Sequence, residues 1–171
     1  TGRIEVLQNW LAVNKPKTCH LLIGKTKLKG RKIFVYAGNM GVAQGLSVFI
    51  DLAGSLSTQK SIGFLFVGRG NAVVSLRQAV KARGLDNILI YDEIEPQEIH
   101  ALYQQCAVGI ISLDKRHKTH NIPGKFLSYI QSGLPVLAAI NSGNDLSATL
   151  IYQQLAPLDH IYNDNFILTL Y

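Results

Sequence analysis

This sequence predicts a doubly wound α/β fold built on a parallel sheet, and three observations predict it. From Lys32 onward, short β-rich runs alternate with segments of helical period, which is the pattern of βαβ units. The β-rich runs are almost continuously apolar, as strands covered on both faces must be. Glycine turns follow two of these runs and open onto helical segments, and the carboxyl ends of parallel strands are where such sheets gather binding chemistry.

Residues 1–31 carry Trp10 and Pro16 among polar residues and read as a connector or edge segment, with the domain proper at 32–171. Strands are read at 33–37, 62–67, 88–91, 108–112 and 136–140. Helices are read between and after them at 44–56, 73–83, 96–105, 125–132 and 146–154. The punctuation agrees with these bounds. Gly84 stands where a helix C-terminus favours glycine, Gly133 and Pro135 close the fourth helix, and Pro96 occupies a tolerated first-turn position.

The 171 residues fit one domain, and a content of 47% hydrophobic and 16% charged residues is enough to bury a core. The formal charge of +6 suits a polyanion or an anionic membrane surface. Many of the cations fall in two places, Lys15 to Lys32 and the run Lys115-Arg116-His117-Lys118, and both also fit solvated loops. No nucleic-acid motif or aromatic platform accompanies the charge. Cys19 and Cys106 lack metal-ligand spacing and point to a reduced, cytoplasmic setting. No run approaches the roughly 20 apolar residues of a membrane-spanning helix, and no signal-peptide pattern opens the chain. The opening Thr1-Gly2-Arg3 has no initiating Met, as in a processed or truncated chain.

Three strand ends carry candidate chemistry. Gly38-Asn39-Met40-Gly41 follows the first strand and leads to a helix, so backbone N–H groups and the positive end of the helix dipole offer an anion site. Gly68-Arg69-Gly70-Asn71 follows the second strand and fits either a cation-bearing binding turn or plain chain reversal. Before the fourth helix, His120-Asn121-Ile122-Pro123-Gly124 leads into Lys125. A cation in the first helical turn opposes the helix dipole, a cost that a bound diphosphate would offset.

Four motifs in order, Tyr36-Ala37-Gly38-Asn39-Met40-Gly41-Val42-Ala43-Gln44-Gly45-Leu46, Phe66-Val67-Gly68-Arg69-Gly70, Pro123-Gly124-Lys125 and Gly133-Leu134-Pro135-Val136, resemble the C-terminal domain of family-4 glycosyltransferases. The nearest subgroup is the bacterial polysaccharide and O-antigen enzymes that transfer N-acetylated amino sugars. The resemblance implies a GT-B architecture of two facing Rossmann-like domains, of which this chain is the nucleotide-sugar-binding half. It implies a UDP-sugar donor, retention of configuration and no metal cofactor. A lipid-linked or saccharide acceptor would be bound by an N-terminal domain that this chain lacks, so the fragment is expected to be inactive alone. A cytoplasmic location, peripheral to the inner face of the plasma membrane, goes with that reading.

Carried over by position, Gly38, Asn39 and Gly41 line the diphosphate, Lys125 and Arg69 pair with it, and the loop from Tyr91 to Ile94 borders the base. Two departures stand out. Asn39 and Gln44 replace an arginine and a lysine of many members, as the amino-sugar subgroup often does. His120 and Ser128 occupy the places of two glutamates that serve the sugar and the ribose. A noncatalytic nucleotide-binding or assembly module, and half of a UDP-sugar epimerase, are the alternatives. A dinucleotide oxidoreductase is disfavoured, because no complete GxGxxG follows the first strand and no acid ends the second.

Overall fold

The computed structural model describes residues 17–116, 123–141, 146 and 167–168. Within them run β1 (Lys32–Ala37), α1 (Ser47–Ser55), β2 (Ile62–Val67), α2 (Val73–Ala82), β3 (Ile88–Tyr91), α3 (Ile99–Tyr103), β4 (Val108–Ser112), α4 (Gly124–Gln131), β5 (Val136–Ala139) and β6 (Ile167–Leu168). The strand order is β3-β2-β1-β4-β5-β6. The first five strands are parallel, and β6 joins β5 antiparallel. This is the α/β Rossmann-like fold that the alternation of β runs and helices predicts. The chain order reverses between β1 and β4, which opens a crevice at their carboxyl ends.

Both faces of the sheet are buried. On one face Phe49, Ile50 and Ala53 of α1 and Leu76 of α2 pack against Tyr36, Phe64, Phe66 and Ile110. On the other, Leu102 and Tyr103 of α3 and Phe126 and Tyr129 of α4 meet Ile33, Val35, Leu65 and Val136. Both crossovers around β2 use the first face, so the second face needs another cover. Residues 17–31 supply it, burying Cys19, Leu21, Ile23 and Leu28 in the same core. Glu98, only 4% exposed, fastens this segment. Its carboxylate accepts the His20 amide at 2.8 Å, the His20 ring Nδ1 at 2.8 and 3.0 Å, and the Glu95 amide at 3.3 Å.

The helix read at 44–56 divides into a 3-10 turn, Val42–Gln44, and α1. Gly45, at φ +56°, makes the break. The helix read at 96–105 begins as a 3-10 turn, Pro96–Glu98, and ends at Tyr103. Leu146 is helical, and the rest of the helix read at 146–154 lies outside the described residues. The pairing of β6 was not foreseen.

Tyr129 sets the position of α4. Its ring lies over Gly109 of β4, where any Cβ would run into the ring. Its hydroxyl, fully buried, donates toward the carbonyls of Ile110 at 3.1 Å and Val35 at 3.2 Å. Lys125 stands one turn before Tyr129 on the same helix face and is thereby aimed at the end of β1.

The amide and ring donors of His20 hold the Glu98 carboxyl below the usual glutamate range. A carboxyl whose pKa is depressed by folding stabilises the protein above its unfolded value, about 4.3, and that contribution fades as pH falls through the lower folded value. Urea midpoints measured across the acid range should therefore drop below about pH 4. In Glu98→Gln that acid dependence should flatten, with a loss at neutral pH of about 1–3 kcal/mol.

Candidate functional site

The carboxyl ends of β1 and β2 are built as one unit. The Gly38 amide donates to the Val67 carbonyl at 2.8 Å, the Met40 amide to Arg69 at 2.7 Å, and the Ala72 amide to Met40 at 3.0 Å. Met40 is fully buried and anchors the turn, while Gly38 and Asn39 stay exposed. The approach is too close for side chains. At Gly68 (φ +145°) a Cβ would strike the Gly38 carbonyl, and at Gly70 (φ +150°) it would strike the Met40 carbonyl. Both φ values lie where only glycine is unstrained.

Three amide side chains line this turn. Gln44 Oε1 accepts the Gly41 amide at 2.9 Å and faces Asn39 Nδ2 at 3.4 Å, and Asn71 Oδ1 accepts the Val42 amide at 3.2 Å. The Gly41 N–H expected to be free for an anion is thus held by Gln44. The sequence marks Gln44 only as a departure from the family's lysine, and Asn71 only as part of the second glycine turn. Their polar character directly after glycine turns is the signal that could have found them.

Lys125 reaches Gly38. A Cβ on Gly38 would lie 2.8 Å from Lys125 Cε and 3.0 Å from its Nζ, so the missing side chain is what admits the lysine. The ammonium sits 4.9 Å from the centroid of the Tyr36 ring, and the Tyr36 hydroxyl donates to the Asn39 carbonyl at 2.6 Å. Tyr36, which opens the first motif but is given no role by it, therefore supports both the turn and the cation. Lys125 is half-buried, and among the described residues no carboxylate lies within 4.0 Å of it. Burial alone lowers its pKa below the usual lysine value.

The neighbouring cations differ in having acids of their own. Arg69, with 81% of its side chain exposed, pairs with Glu93 at 3.1 Å. Arg77 pairs with Asp92 at 2.7 Å. Arg116 pairs with Asp114 at 2.8 Å, which holds that carboxyl down at about 2. Arg69 can serve a ligand here only by leaving Glu93. Of the basic run at 115–118, Lys115 and Arg116 are exposed and the rest lies outside the described residues.

Gly38, Asn39, Gly41 and Lys125 are brought together at the crevice. Ser128 lies one turn beyond Lys125 on α4 and is half-buried. Tyr91 ends β3 beside the His20 ring, at a centroid distance of 6.1 Å, and its carbonyl accepts the Gly68 amide at 3.2 Å. The Ile94 side chain is buried in the core, which leaves only its backbone to border a ligand. His120 lies outside the described residues. Ser112, 4% exposed at the end of β4, has a hydroxyl without a hydrogen-bond partner among the described residues. Among those residues no group of His, Cys, Asp and Glu has metal-binding geometry, and no helix is long and apolar enough to cross a membrane.

Against known proteins, residues 22–145 match the family model for glycosyl transferases group 1. The probable glycosyltransferase WbjE of Pseudomonas aeruginosa is 21% identical over 145 residues, which make up 82% of this chain and 36% of that protein. The chain thus spans about a third of this relative's length. Among solved structures, the catalytic domain of cholesterol-alpha-glucosyltransferase from Helicobacter pylori aligns with a TM-score of 0.58 at 14% identity, covering 70% of each chain. TarM of S. aureus, solved with UDP, aligns with a TM-score of 0.54 at 14% identity over 74% of this chain and 23% of its own. These likenesses are of fold.

Replacing Gly70 by Ala should separate the two turns. The expected cost is about 1–3 kcal/mol in chemical denaturation, accompanied by shifts in the amide resonances of Asn39 and Met40.

Proposed function

The chain belongs to the glycosyl transferases group 1 family, and from that premise we propose that it is the donor half of a retaining glycosyltransferase, binding a nucleoside diphosphate sugar at the carboxyl ends of β1 and β4. The observation that carries the reading is Lys125, a half-buried ammonium with no carboxylate near it among the described residues, held against the exposed Gly38. A desolvated cation without a partner is costly. A diphosphate laid over Gly38 and Asn39 would supply the missing charge and could approach the backbone closely. The same contact would stabilise the negative charge that develops on a leaving diphosphate, without a metal.

In this proposal Gly38, Asn39, Gly41 and Lys125 hold the diphosphate, with Arg69 joining once released from Glu93. Ser128 and His120 serve the ribose and sugar, and the backbone from Tyr91 to Ile94 borders the base. UDP is the preferred nucleotide, on the strength of the motif resemblance and of relatives such as TarM that were solved with UDP. An N-acetylated amino sugar fits the neutral amides of Asn39 and Gln44. The acceptor, lipid-linked or saccharide, would come from a facing domain, and peripheral membrane contact would bring a lipid-linked one within reach. One observation favours a second reading, a nucleotide-binding module without turnover. Ser128, where the family carries a glutamate, offers the ribose a neutral partner in place of a charged one.

Titration of the chain with UDP, GDP, dTDP and NAD, followed by amide chemical shifts, tests the reading. UDP should saturate and perturb residues 38–41, and Lys125→Ala should weaken it by about 1.5–3 kcal/mol. Binding unchanged by that substitution would remove Lys125 from the site. Silence toward every nucleotide would remove the donor function from this chain. Turnover by the full-length protein separates the two readings.

A further inference from the structure

We propose that the open edge of β3 is a docking site for an extended, acidic strand of a partner protein. β3 is an edge strand of the sheet. The Phe64 amide donates to the Asn87 carbonyl and the Gly68 amide to that of Tyr91, and the parallel register pairs Phe64 with Ile88 and Val67 with Tyr91. In such a ladder Asn87, Leu89 and Tyr91 face β2, while the peptide groups of Ile88 and Ile90 point away from the sheet. Among the described residues nothing pairs with those outward groups. They offer two N–H donors and two carbonyl acceptors along a straight edge.

A groove follows this edge between α2 and the segment before β1. Leu85, Ile88 and Ile90 form its apolar part, and Lys27, Arg77 and Lys81 its charged part. Lys27 and Lys81 are exposed and have no carboxylate partner among the described residues, whereas Arg77 already holds Asp92. The other nearby acid, Asp86, is taken by Arg31 at 3.3 Å and Lys60 at 3.1 Å. An added strand gains main-chain hydrogen bonds, with alternate side chains set against pocket and rim. Here the pocket is apolar and the rim cationic, so the matching strand alternates apolar and acidic residues. A second copy of this chain does not fit, because its edge would bring the same cations into opposition.

The test is fluorescence anisotropy with a labelled peptide of about ten residues, long enough to lie along an edge strand, alternating glutamate and valine. Saturable binding is expected. Methylating every second amide nitrogen of the peptide should weaken it about tenfold or more, because those groups would no longer reach the Ile88 and Ile90 carbonyls. The double variant Lys27→Glu with Lys81→Glu should also lose about tenfold or more and begin to bind the lysine–valine counterpart. These are surface changes, and an unaltered melting temperature shows that the variant folds. Equal binding of the methylated peptide would reduce the contact to charge attraction and overturn strand addition. Absence of binding overturns the proposal, as does retention on phosphatidylglycerol vesicles without peptide binding, which would make the surface a lipid contact.

Discussion

The bare Cα of Gly109 is the constraint on which the placement of the site depends. Because nothing projects from β4 at that point, the Tyr129 ring can lie flat on the sheet and send its hydroxyl between two strand carbonyls. That contact fixes α4 in height and rotation. Lys125, one turn earlier, then has a single direction to take, across Gly38 and over Tyr36. Two glycines, one within β4 and one just past the end of the adjacent β1, thus do complementary work, one seating the helix and the other admitting its lysine. A methyl group at Gly109 would move the cation without touching it, by displacing Tyr129, whereas one at Gly38 would press on the lysine itself.

The electrostatics of the crevice follow the same economy. Arg69, Arg77 and Arg116 are each matched by an acid within reach, so they add little net field at the surface. Among the described residues around Gly38, the unmatched charge is that of Lys125, where burial makes it sensitive to whatever lies above it. A site of this design discriminates by position more than by total charge. The neutral amides of Asn39, Gln44 and Asn71 agree with it, since they shape the turn while leaving its charge alone.

Much of this was legible in the sequence, for physical reasons. Strands buried on both faces show as apolar runs, and the bounds of β2, β3 and β4 coincide with those runs. Gly38 and Lys125 were paired by motif, and the geometry brings them together. What the sequence hid were effects of tertiary contact. The interruption at Gly45 depends on a left-handed backbone that helical periodicity does not register. The capture of the Gly41 amide by Gln44 depends on how the turn folds back, and the role of Tyr36 depends on a helix ninety residues downstream. The two-residue strand β6 is too short to carry a pattern of its own.

The segment before β1 looks like a linker in sequence, yet it carries Cys19, Leu21, Ile23 and Leu28 into the core and is latched by a buried carboxylate. The practical consequence concerns where the chain can be cut. A limited digest or an expression boundary placed at Lys32, where the regular alternation starts, would remove part of the cover from one face of the sheet. Apolar surface that Cys19, Leu21, Ile23 and Leu28 now cover would then be exposed, and the product would be prone to clump whatever the state of its crevice. A version of the domain that keeps this cover has to begin no later than Lys17.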